Sequence, residues 1–168
     1  KKNGLSTLEE IELAYKVASM IDVDFKSISD DDLRGFWLKN NQDEAKSFIT
    51  EDEVRSLNER KLTSDDIEKY KLERIPKEYI DSYDDSDKEA AYIYMLMNDG
   101  YSYAEKIIKK DDVTDSEYAI IASNVDSLPG FNIKLDWERE YLYGDTFRTI
   151  LGNVSTTVPS TSITSSFA

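Results

Sequence analysis

Apolar residues recur with helical spacing through the first hundred residues, and polar residues that can cap a helix precede the runs. Ser6 and Thr7 each stand three positions before a glutamate, which is the spacing of a capping box. The apolar stripe that follows predicts one helix and consists of Leu8, Ile11, Ala14, Val17, Ala18 and Ile21. Further helix starts are predicted near Ser29 or Asp30, at Thr50, at Thr63 and at Ser86. The pattern therefore predicts a series of short helices across residues 5–99.

The pattern changes after Gly100, where short apolar and alternating stretches predict strands. Residues 104–108 are predominantly apolar and predict a first strand, and apolar and polar residues alternate from Phe131 to Trp137, as in a half-buried strand. Thr114 opens a helix between them, with an apolar side formed by Tyr118, Ile121, Ala122 and Val125. We therefore expect an α+β fold, in which several short helices pack with a small mixed or antiparallel sheet.

This change in pattern suggests how the chain is organised. Residues 1–154 are expected to form one domain, with a helical part at 5–99 and an α/β part at 100–154. Residues 155–168 are rich in Ser and Thr, carry no charge and lack a strong period, which predicts a tail or linker. The chain begins without Met, so we expect it to be a piece of a longer protein.

Composition narrows the classes of function. The 168 residues include 21 Lys and Arg against 35 Asp and Glu, a formal net charge of −14, so like-charge repulsion argues against nucleic acid or anionic lipid as a partner. His and Cys are absent, which removes the usual base for a Ser or Cys nucleophile and the commonest zinc ligands. We therefore expect no catalytic, metal-binding or cofactor-binding residues in this chain, and no cofactor.

Two acidic clusters allow other interpretations. Asp84, Asp85 and Asp87 could hold calcium, but the Gly and Glu of a calcium loop are not in register, which favours a solvated loop or helix start. The second cluster alternates along the predicted strand and consists of Asp136, Glu138 and Glu140. A glycosidase carboxylate pair is one interpretation of it. Cross-strand pairing with Lys106 or with neighbours of Arg139 is the favoured one.

One stretch near the end of the chain carries a specific resemblance. Its elements are Leu128-Pro129-Gly130-Phe131, Arg139-x-Tyr141-x-Tyr143-Gly144 and Ile150-Leu151-Gly152-x-Val154. Together they resemble the end of the N-terminal, non-catalytic pedestal or dimerisation region of class B penicillin-binding proteins of the Gram-positive type. The helix that ends at Ile21-Asp22-Val23-Asp24, followed by Phe36-Trp37, is similar to the helical part of that region.

The residues of this stretch also have a physical interpretation. Gly130 and Gly144 suit turns that need a positive φ, and Gly152 suits the position after a helix. Arg139, Tyr141 and Tyr143 alternate on one face of an extended segment, where they could stack on or hydrogen-bond to an adjoining module. With Pro129 and Leu151, these residues form the motif to which the resemblance assigns a structural or interdomain role.

The sequence departs from the family pattern at two points. Leu142 stands where family members usually have Pro, which predicts a different local turn. After Val154 the family continues through a Gly-Leu-Pro-type segment into the transpeptidase domain, whereas residues 156–168 match nothing of that kind. The Ser-x-x-Lys and Lys-Thr-Gly motifs of the catalytic domain are missing from this sequence.

The resemblance implies a non-catalytic scaffold domain of a bacterial peptidoglycan D,D-transpeptidase on the extracytoplasmic face of the cell membrane. Its implied partners are the transpeptidase domain of the same parent chain, membrane-associated cell-wall assembly proteins and a second copy in a homodimer. An alternative is an independent extracytoplasmic module that binds protein or glycan through a Tyr-rich face. A further alternative is a hydrolase that uses Asp136 with Glu138 or Glu140.

Overall fold

The computed structural model describes residues 4–101, 104–110, 112–140 and 156–165. The chain divides into two compact units at Asp99 and Gly100, called here the helical unit and the sheet unit. The helices of the helical unit are α1 (Thr7–Ala18), α2 (Asp30–Asn40), α3 (Gln42–Ala45), α4 (Glu51–Asn58), α5 (Ser64–Arg74), α6 (Lys77–Asp81) and α7 (Asp85–Asn98), with a 3₁₀ turn at Lys46–Phe48. The sheet unit contains β1 (Lys106–Lys110), α8 (Asp115–Asn124), a 3₁₀ turn at Val125–Ser127, β2 (Phe131–Glu140) and β3 (Thr156–Ser165).

Capping boxes begin most of these helices, as the sequence pattern predicts. In each box the side chain of the residue before the helix accepts a hydrogen bond from the backbone N–H three residues later. The side chain of that later residue accepts a hydrogen bond from the backbone N–H of the first residue. The boxes pair Ser6 with Glu9, Ser29 with Asp32, Thr50 with Glu53, Thr63 with Asp66, Asp84 with Asp87 and Thr114 with Glu117. The predicted start at Ser86 is wrong by two residues, because the Asp84 carboxylate accepts from the Asp87 N–H at 2.9 Å and caps α7.

The core of the helical unit has two aromatic centres on neighbouring residues of α2. Phe36 is buried with Ile11, Leu33, Ile80, Ala90 and Ala91. Its ring lies 5.6–6.2 Å from the rings of Tyr15, Tyr83 and Tyr94. Trp37 is stacked with Tyr79, at 5.0 Å between ring centroids, and with Phe48, at 5.8 Å. Because adjacent helical residues point about 100° apart, α2 buries apolar surface on two sides at once.

The sheet unit is a three-stranded antiparallel sheet with α8 packed against β2. Its strand order is β1-β3-β2, and the β2–β3 ladder runs from Phe131 opposite Ser165 to Glu140 opposite Thr156. The buried apolar residues are Ile108, Ile121, Leu128, Phe131 and Ile163. The predicted α+β class is confirmed, and the sheet is antiparallel.

The structure corrects the interpretation of the Ser/Thr-rich tail. Residues 156–165 are not a tail or linker, because they form β3, the central strand of the sheet. Thr, Val and Ile favour extended backbone, and a central strand pairs its backbone on both edges. Apolar alternation is missing because Ser162, Thr164 and Ser165 are buried along with Ile163. The predicted first strand at 104–108 is observed two residues later, at Lys106–Lys110.

Within the described ranges, no helix combines the length and the apolar character needed to cross a lipid bilayer.

Candidate functional site

The first part of the family-like motif, Leu128 to Phe131, forms a tight turn at the start of β2. Gly130 has φ 82°, and the backbone N–H of Phe131 donates to the Leu128 carbonyl at 3.0 Å. Pro129 precedes this glycine, and Leu128 is buried. The positive φ expected for Gly130 is therefore observed, and the turn directs the chain into the sheet.

The rest of the motif is only partly within the described residues. Arg139 lies near the end of β2, opposite Thr157 of β3. Tyr141, Tyr143, Gly144, Leu151 and Gly152 lie outside the described residues. The interdomain role of the motif therefore stays a prediction.

The acidic cluster of β2 does not lie opposite basic residues. Asp136, Glu138 and Glu140 face Ser160, Val158 and Thr156 in the β2–β3 register. The expected cross-strand pairing with Lys106 is wrong, because Lys106 is on β1, and β3 lies between β1 and β2. The strand that does lie beside β2 carries no charged residue.

The other acidic cluster has a structural role. Asp84 and Asp87 form the capping box of α7, so their oxygens accept backbone N–H groups of that turn. Asp87 also accepts a hydrogen bond from the Tyr15 hydroxyl at 2.8 Å, which ties α7 to α1. Among the residues described, no group of three or more Asp, Glu, His or Cys side chains is arranged to hold a metal ion.

Tyr15 and Tyr83 of the helical unit are partly buried residues that pack against the core. Burial raises the pKa of Tyr15 well above its ordinary value, and the hydrogen bond to Asp87 raises it further. Burial also raises the pKa of Tyr83 to about 12. Both hydroxyls therefore stay protonated over the physiological range, and neither can act as a base there.

α8 exposes most of the apolar side that the sequence predicts. Ile121 of that side is buried, whereas Tyr118 is 38% exposed, Val125 is 40% exposed, and Ala122 is also exposed. Tyr118 and Ala122 of α8 and Val125 of the 3₁₀ turn that follows it are spaced four and three residues apart and are called here the α8 stripe. No residue from Tyr118 to Val125 is charged, so this surface suits apolar contact.

A buried ion pair explains why the α8 stripe faces outward. The Glu117 carboxylate lies 2.7 Å from the Lys109 ammonium of β1, and these side chains are only 10% and 13% exposed. Glu117 also accepts from the backbone N–H and the hydroxyl of Thr114, at 2.8 and 2.9 Å. Glu117 thus occupies the inward side of α8 together with Ile121, and the helix is turned so that the α8 stripe remains accessible.

The chain belongs to the penicillin-binding protein dimerisation domain family, whose model matches residues 2–166. The resemblance to class B penicillin-binding proteins of Gram-positive bacteria is thereby confirmed.

Three relatives are each several times longer than this chain. The chain is 34% identical over 152 residues to penicillin-binding protein 2A of Bacillus subtilis, covering 89% of this chain and 21% of that protein. It is 27% identical over 183 residues to penicillin-binding protein H of Bacillus subtilis, covering 92% and 25%. It is 22% identical over 162 residues to penicillin-binding protein 2B of Streptococcus pneumoniae, covering 92% and 23%. The chain therefore spans a quarter or less of the length of these relatives.

Proposed function

We propose that this chain is the non-catalytic scaffold domain of a bacterial peptidoglycan D,D-transpeptidase. It positions the transpeptidase domain of the same parent chain above the extracytoplasmic face of the membrane, and it docks cell-wall assembly proteins. The observation that carries the proposal is the coverage, because almost the whole chain matches one family while it spans only 21% of penicillin-binding protein 2A. The remaining length of such a parent is ample for a separate catalytic domain.

The test separates the scaffold from the catalyst. A fluorescent penicillin should acylate the full-length parent and should leave this purified chain unlabelled. In cells that depend on the parent, deletion of residues 1–168 should abolish growth while the remaining protein still reacts with penicillin. Covalent labelling of the purified chain would overturn the non-catalytic assignment. Normal growth after the deletion would overturn the positioning and docking roles.

We also propose that two copies of the chain associate weakly through the α8 stripe. The family description of a dimerisation domain supports self-association. With a net charge of −14, two copies repel each other wherever acidic surfaces meet, and the α8 stripe is an apolar surface without charge. The stripe is small, so the expected dimer is weak and concentration-dependent.

Sedimentation equilibrium of paired variants tests this association. The wild-type chain should show an average mass that rises with concentration, and Tyr118→Glu should remain monomeric because it places a charge in the α8 stripe. Tyr101→Glu is the matched control, since Tyr101 is 86% exposed in the same unit and lies outside the stripe. A wild-type chain that stays monomeric, or equal association by both variants, would contradict the proposal.

A further inference from the structure

An apolar groove runs along the surface of the helical unit between α2 and α7. Its volume is about 480 Å³. The two helices line it at helical spacing, with Gly35 and Phe36 from α2 and Ala91, Tyr94 and Met95 from α7. Phe36 and Ala91 are buried at its base, while Tyr94 and Met95 are half-buried along it. The groove therefore offers apolar surface that is open to solvent.

Gly35 is an unusual residue for its position in the middle of α2. A glycine inside a helix is less favourable than alanine, because it loses more backbone freedom on folding. The positive φ that explains Gly100 and Gly130 is not found at Gly35. A Cβ added at Gly35 would meet no atom within 4 Å outside its own helix backbone and chain neighbours. Neither the backbone conformation nor packing within the described chain requires glycine here, whereas close approach by another molecule would.

The rim of the groove is predominantly acidic. Its cation, Lys39, is paired with Glu68 at 2.8 Å. Asp31 and Asp32 lie in the first turn of α2, where carboxylates favour the helix itself. Asp31 is also paired with Arg34 at 2.9 Å, and Asp32 belongs to the capping box.

Asp99 lacks such a reason to be acidic. It caps the C-terminal end of α7, whose last turn has no basic residue. A carboxylate at that end adds to the negative charge of the C-terminal end of the helix dipole, which is unfavourable for the isolated chain. A cation supplied by a partner would be attracted to the Asp99 carboxylate and to the negative end of the α7 dipole.

We propose that this α2–α7 groove binds a short amphipathic helix of a partner protein. The bound helix places an apolar side chain against Gly35 and a lysine or arginine side chain beside Asp99. The lining residues of α2 span Asp31 to Lys39, about 12 Å at 1.5 Å per residue, which matches about two turns of a bound helix. The inference rests on the proposed docking function and assigns it a site and a partner chemistry.

Fluorescence anisotropy with designed peptides tests the groove. The probe is a fluorescein-labelled helix of roughly 14 residues with leucines at i and i+4 and lysines beside them, and its comparison peptide carries glutamates in place of the lysines. The lysine peptide should bind the wild-type chain, and the glutamate peptide should not. Gly35→Leu fills the groove without changing the net charge, and it should weaken binding by about tenfold or more.

Two matched controls separate the groove from general attraction to an acidic protein. Gly4→Leu makes the same substitution at a glycine that also has open space around it, and it should bind like wild type. Asp99→Asn should weaken binding, whereas Asp85→Asn removes one charge from an 88% exposed side chain near the other end of α7 and should have little effect.

A stability measurement adds a readout that a purely structural role would not reproduce. Gly35→Ala should raise the thermal midpoint by about 3 °C, because alanine favours the helix, and should at the same time weaken peptide binding. The proposal is overturned if Gly35→Leu binds the lysine peptide as tightly as wild type, or if wild type binds neither peptide. Either result would leave the growth defect of the domain deletion unchanged, so failure of the groove and failure of the scaffold role are distinguishable.

Discussion

The helical unit and the sheet unit bury different kinds of groups. In the helical unit the buried side chains of the described residues are apolar, and two clusters of them contain Phe36 and Trp37. The buried polar or charged residues of the described chain all lie in the sheet unit, and they are Glu117, Ser162, Thr164 and Ser165. Apolar burial tolerates changes of shape that preserve volume, whereas a buried carboxylate depends on specific partners. The helical unit should therefore be sensitive to truncation and the sheet unit to the loss of one polar contact.

The largest effect is expected from truncating the aromatic centre of the helical unit. Phe36→Ala should lower the free energy of unfolding by about 4 kcal/mol, because it removes a fully buried ring and leaves a cavity. Urea denaturation, with hydrogen exchange to locate the loss in α1, α2 and α7, measures this. Val54→Ala, at an exposed site in the same unit, should cost less than about 0.5 kcal/mol. A cost below about 1 kcal/mol for Phe36→Ala would contradict the role of this centre.

A comparable but smaller loss is expected when the buried ion pair of the sheet unit is broken. Lys109→Met removes the ammonium group from the buried Glu117 carboxylate and should cost about 3 kcal/mol. The double variant Lys109→Met with Glu117→Gln should recover much of this loss, since Gln keeps the capping box but carries no charge. Urea denaturation of the two variants decides the point. If the double variant is no more stable than Lys109→Met, the units do not differ as described.

A smaller change, a gain in the free energy of unfolding, is expected from a substitution at the end of α4. Arg60 has φ 58°, and the following N–H of Lys61 donates to the Ser56 carbonyl at 2.8 Å, as in a helix-ending motif that favours glycine. Arg60→Gly should stabilise the helical unit by about 0.5 kcal/mol, because relief of the left-handed strain exceeds the entropy cost of glycine. Thermal unfolding checks the sign. Destabilisation would show that the Arg60 side chain makes a compensating contribution.

The smallest effect should come from a surface ion pair and should appear as pH dependence. The Arg74 guanidinium donates to both carboxylate oxygens of Glu53, at 2.6 and 2.9 Å. These hydrogen bonds, together with those from Thr50, lower the pKa of Glu53 to about 2. A carboxylate with a lowered folded pKa stabilises the fold above its unfolded value near 4.5, and this contribution is lost as the pH falls towards 2.

The Arg74→Ala variant tests that assignment by NMR titration. The pKa of Glu53 should rise towards its ordinary value, and the loss of stability between pH 4.5 and 2 should become smaller. Glu9 is the control, because Ser6 alone lowers its pKa through the same capping-box contacts without an arginine. An unchanged pKa for Glu53 would assign its shift to Thr50 instead.

Local signals in the sequence predicted the helical unit well. A capping box needs only two residues three positions apart, so starts such as those at Thr50 and Thr63 can be found without knowing the fold. The turn at Gly130 is local in the same way. The groove was not predicted, because α2 and α7 are distant in sequence and Gly35 alone gives no sign of its neighbours.

The sheet unit depends on contacts that sequence periodicity does not encode. The role of 156–165 could not be predicted because its two neighbours, β1 and β2, precede it by different distances along the chain. The outward turn of the α8 stripe follows from the contact between Glu117 and Lys109, two residues whose charges normally indicate an exposed face. Nonlocal pairing, rather than local propensity, decides which side of these elements is buried.

The central position of β3 has a consequence for the order of folding during synthesis. β1 and β2 each pair with β3 in the sheet, so neither ladder can form until residues 156–165 have emerged. The helical unit is translated earlier, and its helices can begin to pack while the sheet unit is still incomplete. A fragment that stops at residue 154 would keep every helix of the described chain but lose the strand that joins the other two. Expression fragments of this domain should therefore extend beyond Ser165.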